Sequence, residues 1–338
     1  MAEKPTVLSC IQPTSDPHIG NYFGAIANWV RLQESGEYNC IYGVVDLHAM
    51  TMPYEPDDLR RNTLNMVIDL LTCGIDPEKS IVFVQSLVPE HTELSWLLGC
   101  VSSYGELSRM TQFKEKSDQL VMENRTKFIS VGLFTYPVLQ AADILAYRAD
   151  YVPVGRDQKQ HLEFARDVAR KFNTRFGDFF PEPQPLFTET PKIMSPADPE
   201  KKMSKSLGDK HYIGLFDDPE VVRKKIRSAV TDVGPTEEMN PGVANLFEIL
   251  NACGELEAAA DLKKDYDSKT LRYAHLKDTV TSALLRLIEP MRERRRKVEG
   301  ELRDFEAIIE MSQRARDIAG ETLAAARERT GLPSRKNR

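Results

Sequence analysis

Apolar positions along this chain fall in two patterns. Near the amino terminus they form short unbroken runs: Thr6-Val7-Leu8-Ser9-Cys10-Ile11, Cys40-Ile41-Tyr42-Gly43-Val44-Val45 and Ile81-Val82-Phe83-Val84. A run with no polar alternation predicts a strand buried on both faces, as in a parallel sheet. Between the runs the apolar residues recur with helical spacing. That spacing predicts a helix over 18–34 that stops near Gly36, and a second, capped at Asp57, that runs through Cys73 to Gly74. Residues 12–17, rich in Pro, Ser, Thr and Asp, read as a turn. The order strand, helix, strand, helix, strand predicts an α/β fold, a doubly wound parallel sheet with ligands at the carboxyl ends of its strands.

Further along, 91–113 reads as helical and 114–127 as a charged, polar excursion. A helix over 130–148 contains Pro137, which predicts either a kink there or a late start. Tyr151-Val152-Pro153-Val154-Gly155 reads as a short strand and turn, 156–172 as a helix, and 180–199 as a Pro-rich irregular stretch. Beyond Gly208 the strand signals fade. Helical periodicity covers 219–229, 243–251, 255–264 and 271–289, and 299–329 holds one or two more helices. The expected organisation is an α/β domain over 1–208, a helical domain over 209–300, and a terminal segment, 301–338, whose helix can pack back on the first domain.

Composition changes this picture little. The 338 residues are long enough for two domains and resemble an ordinary globular protein. No apolar run approaches the roughly 20 residues that span a bilayer. The start of the chain leads directly into a strand with no targeting pattern, so the cytoplasm is the expected compartment and no membrane is expected as partner. The five cysteines (Cys10, Cys40, Cys73, Cys100, Cys253) are scattered and odd in number. That speaks against a disulfide framework and against a zinc or iron–sulfur site, and no metal ligand set is expected. A net charge of -6 disfavours a nonspecific nucleic-acid binder, although a local basic face can still hold RNA. The basic clusters at 292–297 and 335–338 read as a solvated helix face and a frayed tail.

Two segments carry chemistry. Pro17-His18-Ile19-Gly20-Asn21 follows the first strand and opens a helix. The first N–H groups of a helix are unpaired and point outward, which makes an anion site. Gly20 permits close approach. His18 and Asn21 lie three apart on one face, and both can hydrogen-bond phosphate or ribose oxygens. Far downstream, Lys202-Met203-Ser204-Lys205-Ser206 packs two ammonium groups and two hydroxyls into five residues, with Gly208 after them. Such a loop suits a pyrophosphate that gains charge as it leaves. Taken alone, the first reads equally well as a helix start with a polar pair, and the second as a solvated basic loop.

Together they resemble the two ATP-binding signatures of class I aminoacyl-tRNA synthetases. The stretch from Gln12-Pro13-Thr14 to His18-Ile19-Gly20-Asn21-Tyr22-Phe23-Gly24-Ala25 is similar to the first signature of the tryptophanyl-tRNA synthetase family, whose Asn distinguishes it from the tyrosine branch. Arg109-Met110-Thr111-Gln112-Phe113-Lys114, Ala141-Ala142-Asp143-Ile144-Leu145 and Val152-Pro153-Val154-Gly155-Arg156-Asp157-Gln158-Lys159-Gln160-His161 continue the likeness, which is bacterial in type and spans about 6–250. The resemblance implies a Rossmann-like catalytic domain and a helical anticodon-binding domain. It implies that Asp143 accepts the indole N–H, that Tyr136 and Gln158 meet the substrate ammonium, and that Val152 and Val154 line the ring pocket. Gln12, Pro13 and Thr14 cover the nucleotide, Gly155, Arg156 and Asp157 meet the adenosine, Ile193 touches adenine, and Lys116 approaches the phosphates. A carboxylate in an apolar pocket is costly to leave unpaired, so such a site rejects phenylalanine, which brings no donor. Gln140 stands where bacterial members carry an apolar residue beside the indole, Cys10 where Gly is frequent, and 117–129 is longer than in the compact bacterial pattern. These departures bear on pocket shape and inhibitor sensitivity, not on the reaction class.

The reaction so implied is attack of the tryptophan carboxylate on the α-phosphorus of ATP, followed by acyl transfer to the terminal ribose of tRNA(Trp). Lys202 and Lys205 act on the leaving pyrophosphate, His18 and Asn21 hold the nucleotide, and Mg²⁺ rides on ATP oxygens. The family resemblance further implies a homodimer with tRNA spanning both subunits. Three rivals share parts of the pattern. A tyrosine-specific synthetase has the same fold. A small-molecule adenylyltransferase shares the first signature but lacks the helical region. A non-catalytic synthetase-like RNA-binding regulator has no use for intact His18, Asn21, Lys202 and Lys205.

Overall fold

The computed structural model describes residues 4–111, 129–153, 159–187, 190–231 and 239–333. Five parallel strands form one sheet: β1 (Thr6–Ile11), β2 (Asn39–Val44), β3 (Ile81–Val84), β4 (Tyr151–Pro153) and β5 (Gln184–Leu186), in spatial order β3-β2-β1-β4-β5. Val7 of β1 pairs with Cys40 of β2 on one side and Tyr151 of β4 on the other. The chain therefore winds first one way from β1 and then the other. The crevice at that reversal is where a doubly wound sheet binds its ligand.

The strands are apolar throughout because both faces are covered. Side chains alternate: Cys40, Tyr42, Val44, Val82 and Val84 enter one core, and Leu8, Ile41 and Phe83 the other. The first core is completed by the Pro56–Thr72 helix and continues without a break into the helices after residue 208. The second is built with the Val131–Ala146 and Lys159–Phe176 helices and the last helix, Glu306–Arg329, which contributes Ala315, Ala319 and Ala326. That last helix lies against β3, where the Ser312 hydroxyl accepts the Val84 N–H at 3.2 Å.

Several elements differ from expectation. The first helix is not uniform: Ile19–Asn21 passes through a π turn, Tyr22–Ile26, before Ala27–Ser35 ends at Gly36, whose φ is 65°. Glu55, not Asp57, caps the next helix, and Pro56 opens it. Helicity after His91 breaks between Glu90–Gly99 and Tyr104–Leu107. The helix containing Pro137 does not start late, because the Ser130 hydroxyl caps it by accepting the Leu133 N–H. The stretch read as irregular contains β5. Its Pro185 is tolerated because β5 is an edge strand with one unpaired side.

After residue 208 the structure is helical: Pro219–Arg227, Pro241–Ala252, Leu256–Asp267 and Tyr273–Glu301. The basic cluster at 292–297 is not merely a solvated face. Arg295 binds the buried Asp69 at 2.8 Å, and Arg294 donates to the Thr72 carbonyl, so the cluster locks this region to the Pro56–Thr72 helix. The charged excursion at 114–127 and the basic tail at 335–338 lie outside the described residues. Among the described residues, no helix is long and apolar enough to cross a membrane.

Candidate functional site

The turn after β1 delivers His18 to the start of a helix. Its backbone N–H donates to Asn21 Oδ1 at 3.0 Å, and its Nδ1 accepts the Asn21 N–H at 3.2 Å, a reciprocal cap. Burial, and then the positive charges of Lys205 and Lys202, lower the His18 pKa to about 4. The ring is therefore neutral at pH 7. Since Nδ1 accepts, the proton sits on Nε2, which leaves an outward donor. A donor without charge suits a phosphate or ribose oxygen.

The lysine segment comes to the same place. Lys202 forms an isolated bridge with Met194, and Met203 N–H donates to the Ile193 carbonyl at 3.3 Å. Met203 and Ile193 are both buried in the first core, which anchors the segment on either side of its polar residues. Gly20 makes the approach possible: a Cβ there would stand 3.0 Å from the His18 ring and 3.5 Å from Met203 Cβ. A strip at 213–215 pins the His18 turn. Ile19 N–H donates to the Ile213 carbonyl, and Leu215 N–H to the Pro17 carbonyl, each at 3.0 Å. Lys205 Nζ lies over the Tyr212 ring at 5.2 Å, and that ring also neighbours His18. Buried Lys225 holds Asp209 at 2.9 Å and Asp217 at 3.1 Å, closing the strip from behind. Between these elements lies a cavity of about 450 Å³, walled by Gln12, Thr14, His18, Asn21, Ser204, Lys205 and Ser206 among others. It sits at the carboxyl end of β1. The Lys205 ammonium, two serine hydroxyls and helix-start N–H groups gathered at one cavity can bind a polyphosphate.

Beside it, the Val131–Ala146 helix presents Tyr136, Gln140 and Asp143 at spacings of four and three, on one face. Asp143 is 2% exposed. Gln85 Nε2 donates to both of its oxygens, at 2.9 and 2.8 Å, and His48 Nε2 lies 2.9 Å from Oδ2. His91 Nδ1 is 3.1 Å from Oδ1, near but off the hydrogen-bond direction. Burial alone raises a carboxyl pKa, yet hydrogen bonding to His48 and the closeness of the His91 ring prevail and hold Asp143 well below the usual range. Tyr136 bonds His161 Nε2 through its hydroxyl at 2.9 Å, and Val152 lies buried in β4.

Among the sequence candidates, Gln12, Thr14, His18, Asn21, Ser204, Lys205 and Ser206 share the cavity wall. Pro13, Ile193 and Met203 are buried close by in the chain, and Lys202 is exposed. Lys116, Val154, Gly155, Arg156, Asp157 and Gln158 lie outside the described residues. Sequence reasoning missed His48, Gln85 and His91, which surround Asp143, and Tyr212 and Lys225, which back the lysine segment. The signal for the first two was position: His48 and Gln85 follow the carboxyl ends of β2 and β3. A larger cavity, about 1020 Å³, opens at the opposite, amino ends of the strands around Thr6, Asn39 and Arg148, away from this chemistry.

Comparison with known proteins fits this geometry. The profile of class I tRNA synthetases (W and Y) matches residues 1–289. Over 343 aligned positions the chain is 44% identical to tryptophan–tRNA ligase 2 of Streptomyces avermitilis, with 99% of each covered. The chain belongs to the tryptophanyl-tRNA synthetase family. Solved synthetases share its shape. The tryptophanyl-tRNA synthetase of Mycoplasma pneumoniae is 36% identical with a TM-score of 0.85, over 99% of this chain and 100% of that one. That of Campylobacter jejuni, complexed with ADP and tryptophan, is 33% identical with a TM-score of 0.82, over 97% and 100%. As a class I synthetase, the chain has the parallel Rossmann-like sheet of its relatives and is an enzyme of the aminoacyl-tRNA synthetase type.

Proposed function

We propose that this synthetase is a tryptophan–tRNA ligase. It joins tryptophan to ATP as tryptophanyl-adenylate with loss of pyrophosphate, then passes the acyl group to the 3′-terminal ribose of tRNA(Trp). The observation that carries the reading is the convergence of the His18–Asn21 cap and the Lys205 segment on one cavity at the carboxyl end of β1. The carboxylate of tryptophan attacks the α-phosphorus in line, and pyrophosphate departs with its electron pair. Little covalent work falls to the protein, so positioning and charge supply the rate. Neutral His18 donates from Nε2 to the nucleotide, and Lys202 and Lys205 neutralise charge growing on the leaving group. Mg²⁺ would come with ATP and would offset charge on its phosphates. Asp143, ionised and beside the same crevice, receives the indole N–H. Tyr136 and Gln158 are assigned to the ammonium group, and Val152, Val154 and Gln140 to the ring pocket.

Residues 209–300 are assigned to anticodon reading, by splayed bases and backbone contacts. The working unit is a homodimer. Trp96, Tyr104 and Val131 are 74%, 76% and 76% exposed on neighbouring helices, an apolar surface suited to a second copy. The cytoplasm is the proposed compartment. Pyrophosphate exchange run with each of the twenty amino acids tests the assignment: tryptophan alone supports exchange, and the charged product forms with tRNA(Trp). Exchange driven by tyrosine, or none with any amino acid, overturns it.

A further inference from the structure

We propose that Gln85 and His91 are positioning residues for amino-acid selection, acting through Asp143, whose carboxylate they hold in one fixed orientation. The inference rests on the assignment of Asp143 to the indole N–H.

A carboxylate sealed from water loses several kcal/mol of solvation and must regain it from donors. It also has two planar oxygens and a rotatable bond, so its direction is only as good as the groups around it. Gln85 supplies the constraint from the sheet. It follows β3 directly, in the turn Gln85–Leu87 that Val88 N–H closes on the Gln85 carbonyl at 3.1 Å. Its Nε2 bridges both Asp143 oxygens, which sets the plane of the carboxylate. Its own oxygen faces the His48 backbone N–H at 3.4 Å, so the amide cannot flip without setting oxygen against oxygen.

His91 supplies the constraint from the side. It is fully buried, edge-on to Phe83 and Tyr147, with ring centroids 5.4 Å away in both cases. Its Nε2 lies 2.7 Å from the Tyr147 hydroxyl. Its Nδ1 stands 3.1 Å from Asp143 Oδ1, and a carboxylate repels a bare ring nitrogen, so the ring proton belongs on Nδ1 and Nε2 accepts from the Tyr147 hydroxyl. Asp143 can only accept, and every group around it is arranged to give. Gln85, His48 and His91 belong to three different elements, so no local motif in the chain announces the arrangement.

A double-mutant cycle tests the proposal, read as steady-state pyrophosphate exchange. Gln85→Met keeps the volume and removes the bridging donor. It is expected to raise KM for tryptophan at least about tenfold while kcat and KM for ATP stay within about twofold, and to narrow the preference for tryptophan over phenylalanine. Asp143→Asn raises KM for tryptophan and weakens the same preference. In the Asp143→Asn background, Gln85→Met adds little, because the group it positions has lost its charge. If the Gln85→Met protein does not fold, His91→Gln carries the same cycle. Additive effects, a KM for tryptophan unmoved by Gln85→Met and His91→Gln alike, or a change shared by ATP overturn the positioning role alone. Normal tryptophan discrimination by the Asp143→Asn variant overturns both this role and the assignment of Asp143 to the indole.

Discussion

Replacing Gly20 by alanine separates the catalytic role of the His18 turn from its structural one. The added methyl carbon would stand 3.0 Å from both Cε1 and Nδ1 of His18 and 3.5 Å from Met203 Cβ. Two of these contacts are tighter than side chains ordinarily tolerate, so the imidazole must give by a few tenths of an ångström. That shift lengthens the 3.2 Å bond from the Asn21 N–H to Nδ1 and moves the Nε2 proton off its line into the cavity. The cost to folding is small. Asn21 N–H keeps the His18 carbonyl at 2.9 Å, so no donor is orphaned. Loss of a side-chain cap then costs about 1 kcal/mol, a shift of roughly 2 °C for a chain of this size. The cost to catalysis is larger, because a preorganised donor at developing charge is worth about 10²–10³ in kcat. Tryptophan-dependent pyrophosphate exchange at saturating substrates should fall at least about tenfold, with the melting temperature nearly unchanged. Gly24 is the control in the same motif, since nothing lies within 4 Å of a Cβ built there. Gly24→Ala should exchange normally and melt no lower than the parent. A Gly20→Ala variant with exchange within about threefold of the parent refutes the reasoning, because the ring would then not be needed where it is held.

Lys205→Ala should lower the adenylation rate more than about tenfold with little change in tryptophan affinity, since the lost charge acts on the leaving group; unchanged exchange counts against that role. Asp69 is fully buried, and burial outweighs Arg295 and pushes its pKa up to about 7. The neutral form is thus favoured by folding. Its contribution is fully present below pH ~4 and lost as pH rises through about 7, a difference of up to about 4 kcal/mol. Urea midpoints of the parent relative to Asp69→Asn should therefore fall between those pH values, and parallel curves would exclude this origin. At Gly43 a Cβ would lie 2.4 Å from Phe83 Cζ and 2.9 Å from Cys10 Sγ, so Gly43→Ala should destabilise by about 1–3 kcal/mol, partly relieved by Phe83→Leu in the same melting assay.

Cys10 shows how a departure from the family pattern gains meaning from the fold. At this position the family frequently has glycine; here the thiol fills the space against Gly43, and burial and the Asp143 charge keep it protonated. It packs across the β1–β2 pair, where Cys10 is the register partner of Gly43, without adding a reactive group.

The chain alone determined most of the sheet and pointed to the two candidate phosphate-binding segments. Unbroken apolar runs at 6–11, 40–45 and 81–84 leave a strand no solvent face, so a parallel sheet with two helical layers follows directly. His18, Asn21, Lys202 and Lys205 were legible because each acts within a five-residue segment whose spacing is its chemistry. Tertiary structure decided what distance in sequence conceals. β5 carries a proline and too few residues to show a pattern, and exists only because β4 offers an edge. Arg294 and Arg295 look solvated in sequence and are docked in space, because Asp69 and Thr72 lie more than two hundred residues away. The setting of Asp143 is the clearest case: His48, Gln85 and His91 reach it from the ends of β2 and β3 and from a separate helix. Each is an ordinary polar residue in its own segment. Only the winding of the sheet, which gathers the carboxyl ends of its strands, turns them into one polar cluster.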